Sequence, residues 1–228
     1  MVDFLIATAI AAASVSAAYP PATPIADADP AIWVVNDADT VIYLFGTFHA
    51  LDGKSVWFND EVETAFERSD ELVLETIVPE GPRSASAPLQ DSRRAAEASG
   101  KPVEGLESFD YQLGMFGRMS QQPAQTVAPA QDLSSAGNLA IVMGQMQAAW
   151  NRGDSAIFAT MLDQMRANSP ASYDVMFTQR NRNWASWIAQ RLQKPGIVFV
   201  AVGTGHLASP DSVQAKLAEF GVRSARIN

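Results

Sequence analysis

The chain contains only two histidines, and each closes the same four-residue frame, Gly-Thr-x-His. The two GTxH frames are residues 46–49, which end at His49, and residues 203–206, which end at His206. An apolar run rich in β-branched and aromatic residues precedes each frame, and such a run is typical of a buried strand. Because ligands of open α/β sheets bind beyond the carboxyl ends of the strands, the sequence predicts two imidazoles at a ligand-binding edge.

A carboxylate is expected at the same edge. Glu75 ends the apolar run 71–75, which we predict to be the strand that follows the first frame. His49, His206 and Glu75 would then form a two-histidine, one-carboxylate set, which suits Zn, Mn, Co or Fe and leaves positions open for water or substrate. Such a divalent ion lowers the pKa of bound water and polarises a carbonyl. Two alternatives stay open: the three side chains could perform general acid–base work without an ion, or the histidines could be ordinary hydrogen-bonded residues.

The other residues of the frames have their own predicted roles. Gly46 and Gly203 are expected to let the chain turn sharply off each buried strand. The backbone N–H groups that follow them could face an anion or an oxyanion. Thr47 and Thr204 either bond their own loop backbone or contact a substrate.

Arg180 is the basic candidate for the site. It lies in the unusual segment 180–184, where it could bind a carboxylate, could orient Glu75 or Glu107, or could belong to a solvated helix face. Glu107 follows a predicted short strand and is either a second acid of the site or a residue that starts a helix. Trp184 is interpreted as a core residue.

The elements needed to position these residues form two strand–GTxH–helix–strand units. We predict an α/β fold with a central mixed, mainly parallel sheet, flanking helices and a helical insert. Right-handed crossovers would bring both frames to one sheet edge. The central helical region, about residues 109–192, could cover that edge as a lid, with Met143 and Met146 as packing residues. We predict a loop over 79–88, an irregular segment over 121–137, helical spacing over 139–165 that is interrupted near 152–154, and a helix over 174–192. The helix of the second unit is predicted to begin with Ser209 as its cap and Pro210 at its first position.

Composition limits the classes of function. The formal net charge of −9 argues against nucleic acid and anionic membranes as partners. The absence of cysteine excludes disulfides, zinc–thiolate sites and thiol nucleophiles. Residues 1–18 resemble a signal peptide, so we expect residues 19–228 to form one domain that is exported and periplasmic or secreted. No other stretch is long enough to span a membrane, so none is expected in the mature chain.

Several motifs together resemble the TraB/GumN family, which includes the Tiki-type proteases and is related to the erythromycin-esterase/ChaN-like fold group. The resemblance covers nearly the whole mature chain, although this chain is shorter than the family pattern between Glu107 and Arg180. The matching segments are residues 30–33, 40–49, 71–75, 105–107, 150–154, 180–184 and 202–207.

The resemblance implies roles for four residues. The family's two GxxH histidines map to His49 and His206, its acid to Glu75 and its arginine to Arg180. Tiki-type members are metal-dependent proteases, which implies manganese or cobalt. Other members are linked to peptide-pheromone shutdown, and the GumN name comes from a polysaccharide gene cluster.

We therefore expect an exported metal-dependent hydrolase that cleaves an amide or ester bond in a peptide or small-molecule substrate. In that function, Glu75 is a metal ligand or a general base. The alternative is a non-catalytic protein of the same fold that binds a peptide, a metal or a haem-like ligand, or that assists polysaccharide export.

Overall fold

The computed structural model of the protein describes residues 26–48, 55–79, 87–120 and 136–228. The strands in these residues are β1 (Ala26–Asp27), β2 (Ile32–Asn36), β3 (Thr40–Thr47), β4 (Ser55–Val56), β5 (Glu71–Thr76), β6 (Val103–Glu107), β7 (Gly196–Gly203) and β8 (Ser224–Arg226). The helices are α1 (Asp60–Arg68), α2 (Ala87–Ala98), α3 (Phe109–Ser120), α4 (Ala136–Trp150), α5 (Ala156–Asn168), α6 (Pro170–Tyr173), α7 (Gln179–Arg191), α8 (Gly205–Ala208) and α9 (Val213–Glu219). A π-helical segment, Asp174–Thr178, joins α6 to α7.

Six strands form one sheet in the order β6-β5-β7-β3-β2-β8. The pairs β6–β5, β5–β7 and β7–β3 are parallel, whereas β2 is antiparallel to both β3 and β8. The predicted mixed, mainly parallel α/β sheet is confirmed. In the β3–β7 ladder Gly46 pairs with Val202 and Thr47 with Gly203, so the two GTxH frames leave the sheet side by side.

Strand alternation divides the apolar core between the two faces of the sheet. In β7, Phe199 and Ala201 point into one cluster with α1, α2, α4 and α5. Val198, Val200 and Val202 point into the other cluster, with α7 and α9. Helices thus cover both faces, as parallel strands require, because such strands are apolar on both sides. In the described part of the chain, no helix has the length and apolarity needed to cross a membrane.

The central helical region extends beyond the carboxyl edge of the sheet. A turn at residues 151–153 separates α4 from α5, as predicted from the interrupted helical spacing. The indole Nε1 of Trp150, the last residue of α4, donates to the Gly46 carbonyl over 2.8 Å. This bond fixes the end of α4 at the first GTxH frame, so α4, α5 and the π-helical segment stand over the strand ends.

Three local predictions need correction. Ser212, rather than Ser209, caps the last helix, since its Oγ accepts from the Ala215 N–H over 3.3 Å. The chain forms the short α8 directly after β7, which leaves Ser209 and Pro210 in the turn before α9. The helix predicted over 174–192 is π-helical over its first turn. The loop predicted over 79–88 ends earlier, because Ala87 and Pro88 lie in the first turn of α2.

Some predictions concern residues outside the described ranges. Residues 1–18, the predicted signal peptide, lie there, so export stays a prediction. His49 and residues 121–135 lie there as well. The irregular segment was predicted over 121–137, but residues 136–137 belong to α4.

Candidate functional site

Glu75 lies at the carboxyl end of β5, where three donors bind its carboxylate. Its Oε1 accepts from Arg180 Nη2 over 2.5 Å and from Gln112 Nε2 over 2.9 Å. Its Oε2 accepts from the Gly203 N–H over 3.2 Å, which joins it to the second GTxH frame. Burial acts to raise the pKa of Glu75, but the positive charges of protonated His206 and of Arg180, with these hydrogen bonds, lower it from 4.5 to about 2. Glu75 is therefore an ionised carboxylate at neutral pH.

Arg180 stands between two carboxylates in the first turn of α7. Its Nη2 binds Glu75, while its Nε and Nη2 bind Glu107 over 2.8 Å each, in a bidentate pair. The guanidinium also lies over the Trp184 ring, 4.7 Å from its centroid. Burial acts to lower the pKa of Arg180, but the hydrogen bonds and charges of Glu107 and Glu75 raise it. The solvated-face interpretation of Arg180 is wrong, because the residue is 2% exposed.

Glu107 is the second acid of this cluster. It ends β6, and its Oε1 also accepts from Trp184 Nε1 over 3.0 Å. The carboxylate therefore faces Arg180 rather than the helix that follows it in the chain. At the start of that helix the hydrogen-bond acceptor is Ser108 instead, because its Oγ accepts from the Tyr111 N–H over 3.2 Å.

The hydrogen bonds of Asn181 determine the tautomer of His206. The Asn181 Nδ2 group donates to the Asp211 carbonyl over 2.7 Å, so Oδ1 is the atom that faces His206 Nδ1, at 2.6 Å. An amide oxygen only accepts, so Nδ1 must carry the proton. In the neutral imidazole, Nε2 is then the lone-pair nitrogen. It lies 3.3 Å from Arg180 Nη1, which is always a donor.

Aromatic rings enclose the imidazole. Its centroid lies 4.3 Å from that of Trp184 and 4.9 Å from that of Phe177, and His206 is 4% exposed. Asn181 and Phe177 were not among the predicted site residues. For Asn181 a signal existed, since it shares the buried stripe of α7 with Trp184 and Ile188. A polar residue on an apolar stripe at helical spacing indicates a bonded partner.

The two frames meet in a tight seam. Both the N–H and the Oγ1 of Thr204 donate to the Thr47 carbonyl over 2.9 Å, and Thr47 Oγ1 donates to the Val202 carbonyl over 3.2 Å. The predicted turn at Gly46 is wrong, because Gly46 lies inside β3. Its missing side chain serves a different purpose: a Cβ there would lie 3.0 Å from Thr204 Oγ1. Gly203 is the last residue of β7, and the turn begins at Thr204.

A cavity of about 380 Å³ opens above these residues. Its polar floor comes from the strand ends, the residues that follow them and Arg180 of α7; the floor residues are Glu75, Arg180, His206, Thr47, Gly203, Thr204 and Gly205. Its other walls are apolar side chains from α4, α5, the π-helical segment and Phe48. A small concave site with an apolar lining and a few convergent polar groups is the usual form of a ligand site.

The predicted metal set is only partly within the described residues. Among them, no group of three or more His, Asp and Glu side chains could hold a metal ion. Glu75 and His206 both line the cavity, and His49, the third predicted ligand, lies outside the described ranges. The two described donors fit a divalent ion in kind, since one is an ionised carboxylate and the other an imidazole with its lone pair on Nε2. Arg180 contacts both donors, so an ion would compete with the guanidinium.

Fold and site together define a class: a mainly parallel α/β protein with a buried Glu–Arg–Glu cluster and a histidine at the carboxyl edge of its sheet, beneath an apolar helical roof. The family comparison then identifies it further. The model of the TraB/PrgY/gumN family matches residues 31–92 and 90–226, and the chain belongs to this family. The predicted family relationship is confirmed. No curated protein and no solved structure matches the chain.

Proposed function

We propose that the protein is a hydrolase that cleaves an amide or ester bond in a peptide or small-molecule substrate bound in the cavity. The observation that carries this proposal is the position of His206, Arg180 and Glu75 at the floor of an otherwise apolar cavity of about 380 Å³. A general base and a fixed positive charge thus share one small space whose other walls are apolar. That combination favours acyl transfer to water.

In the proposed reaction, His206 is the general base. Its Nε2 takes a proton from a water molecule, whose oxygen forms a bond with the carbonyl carbon of the substrate. The bond from that carbon to the leaving nitrogen or oxygen then breaks, and the proton passes from Nε2 to the leaving group. The contact between Nε2 and Arg180 Nη1 is long, at 3.3 Å. The O–H of a water molecule can therefore donate to the Nε2 lone pair while Arg180 keeps its bonds to Glu75 and Glu107.

Arg180 and Glu75 have supporting roles in this proposal. Arg180 lines the cavity, so its charge stabilises the negative charge that develops on the carbonyl oxygen. Glu75 and Glu107 hold the guanidinium in place through bonds of 2.5 to 2.8 Å. The low pKa of Glu75, about 2, keeps this support ionised across the neutral range.

A divalent ion defines an alternative form of the proposal, because the single lone pair of His206 Nε2 can bind an ion or accept a proton but not both. Its ligands would be His206 Nε2, the Glu75 carboxylate and His49. Such an ion supplies Lewis acidity and lowers the pKa of a bound water. Arg180 would then hold the Glu75 carboxylate that serves as ligand.

The test measures hydrolysis of p-nitrophenyl esters and p-nitroanilides by purified protein, with chelator and with added Mn²⁺. We expect turnover that falls at least about 100-fold in His206→Gln, by the usual contribution of a general base. The exposed substitution Asp163→Asn is the control and should leave turnover unchanged. Equal turnover in His206→Gln and the unsubstituted protein would contradict the proposal.

The metal-dependent form of the proposal is tested separately, by measuring Mn²⁺ binding. Isothermal titration with Mn²⁺ should show binding that is lost in both His206→Gln and His49→Gln. Turnover that survives chelation, together with no Mn²⁺ binding, would leave His206 as a base that works without an ion. Ligand binding without turnover of any ester or anilide would favour the alternative function, a non-catalytic binding protein.

A further inference from the structure

The roof of the cavity is unusually rich in methionine. Four of the chain's eight methionines line it, beside two phenylalanines and one leucine. These residues, which come from α4, α5 and the π-helical segment, are Met143, Met146, Met161, Met176, Phe158, Phe177 and Leu162. Methionine is unbranched and polarisable, so a wall of this kind adapts to apolar groups of different shapes.

Part of this apolar surface is open to solvent. Met161 of α5 is 38% exposed although it lines the cavity. Covering a large exposed apolar side chain at a concave site with a ligand makes the free energy of binding more favourable.

The charges of the site disfavour an anionic ligand. Among the described lining residues, the cation is Arg180, and Glu75 and Glu107 already pair with its guanidinium. Arg180 lies in the floor of the cavity, so the methionine-lined roof offers no cation among the described lining residues. A substrate carboxylate placed against the methionines would thus lose water without gaining a cation.

We propose that the methionine-lined roof is an acyl-group subsite, which selects substrates with a flexible, uncharged apolar group on the carbonyl side of the scissile bond. This proposal rests on the hydrolase function proposed above. Bound in this way, the apolar group lies against Met143, Met146 and Met161, and the carbonyl reaches the floor at His206 and Arg180.

The experiment compares three p-nitrophenyl esters: acetyl, hexanoyl and the mono-ester of adipic acid. Hexanoyl and adipoyl have the same chain length and differ in the terminal carboxylate. We expect kcat/KM for hexanoyl to exceed that for acetyl and that for adipoyl by about tenfold or more, the scale of burying several methylenes.

Matched variants on α5 test the location of the subsite. Met161→Glu should lower the hexanoyl-to-acetyl ratio of kcat/KM by about tenfold, and Met161→Leu should retain it. Met165→Glu is the control, since Met165 lies one turn along the same helix and outside the cavity lining. Equal loss of the ratio in Met161→Glu and Met165→Glu would overturn the assignment.

Failure of the subsite and failure of the hydrolase function give different results. Hydrolysis of all three esters at similar kcat/KM would overturn the subsite and leave the proposed function intact. If no ester is hydrolysed, the proposed function fails, and binding of the neutral fluorophore N-phenyl-1-naphthylamine decides the subsite. Binding that Met161→Glu weakens and Met165→Glu does not would support it. Binding unaffected by Met161→Glu, or no binding, would overturn it.

Discussion

At the scale of a single residue, Asn181 determines which nitrogen of His206 carries the proton, although Asn181 itself is uncharged. It is fully buried and holds the Nδ1 proton of His206 through its Oδ1. We predict that ¹⁵N NMR of the protein at neutral pH will show the Nδ1-protonated tautomer for His206. The chain has only two histidines, so a His49→Gln sample assigns the signals.

The substitution Asn181→Leu tests the role of the His206 tautomer through activity. Asn181→Leu removes the acceptor for Nδ1, so we expect a mixed tautomer and a loss of kcat of about tenfold or more, as is usual when the partner of a functional histidine is removed. Asn183→Leu is the matched control, because Asn183 is exposed on the same helix. A His206 signal that is protonated at Nε2 in the unsubstituted protein would contradict the assignment.

Glu75 links the site to stability through its pKa. The pKa is about 2 in the folded protein and 4.5 in the unfolded reference. A lowered folded pKa stabilises the fold above the unfolded pKa, and this contribution is lost as pH falls toward the folded value. We predict that Glu75→Gln lowers the free energy of unfolding by about 3 kcal/mol at pH 6, and that the difference shrinks toward pH 3. Urea unfolding at a series of pH values measures it.

The control for this pH dependence is Glu63→Gln, because Glu63 is exposed on α1. Its effect on the free energy of unfolding should be small at every pH. A Glu75→Gln effect that stays constant between pH 6 and pH 3 would show that the carboxylate is not held by charge.

At the scale of elements, the seam between β3 and the second GTxH frame depends on the missing side chain of Gly46. A Cβ there would lie 3.0 Å from Oγ1 and 3.3 Å from Cα of Thr204. Gly46→Ala must push the two frames apart, so we expect it to lower the free energy of unfolding by about 1–3 kcal/mol and to reduce turnover. Thermal unfolding and ester hydrolysis on the same sample measure both effects.

Gly144→Ala is the matched control on α4. An added Cβ meets nothing within 4 Å there, and alanine is the better helix former, so stability should rise by up to about 1 kcal/mol. If Gly46→Ala is as stable as Gly144→Ala, Thr204 can move away from the added Cβ at little cost. The close approach of the two frames would then not explain the glycine at position 46.

The elements also show how far a sequence pattern reaches. Apolar runs and the two frames predicted β3, β5 and β7 and the edge they share, because strand periodicity and parallel pairing depend on local and topological rules. The π-helical start of the helix at 174–191 was not predictable, since its apolar spacing resembles that of an α-helix. That segment matters to the site because the Met176 carbonyl accepts from Arg180 Nη1 over 3.3 Å.

The candidate site was predictable in part for a similar reason. His206, Glu75 and Arg180 were identified from residue type, strand ends and family resemblance. Gln112 was not, because its bond to Glu75 depends on how α3 packs against the strand ends. The choice between Arg180 as a surface residue and Arg180 as a bridge was also open, since it depends on the order β6-β5-β7, which places Glu75 and Glu107 beside each other.

On the scale of the whole molecule, the Glu75–Arg180–Glu107 cluster joins parts of the chain that are distant in sequence. It ties β5 and β6 to α7, and the side chain of Arg180 is 3% exposed. Removing the cation alone leaves two buried carboxylates facing each other. We therefore expect Arg180→Met to lower the free energy of unfolding by about 3–5 kcal/mol, measured by urea denaturation at pH 7.

Neutralising the carboxylates as well separates charge from packing. In the triple variant Arg180→Met, Glu75→Gln, Glu107→Gln no buried charge is left unpaired, so most of the lost stability should return while ester hydrolysis does not. The control is Arg166→Met, which removes an arginine whose side chain is 46% exposed and should cost less than about 1 kcal/mol. A triple variant no more stable than Arg180→Met would mean that the shape of the arginine, rather than its charge, holds these elements together, because the removed charges would then have contributed nothing.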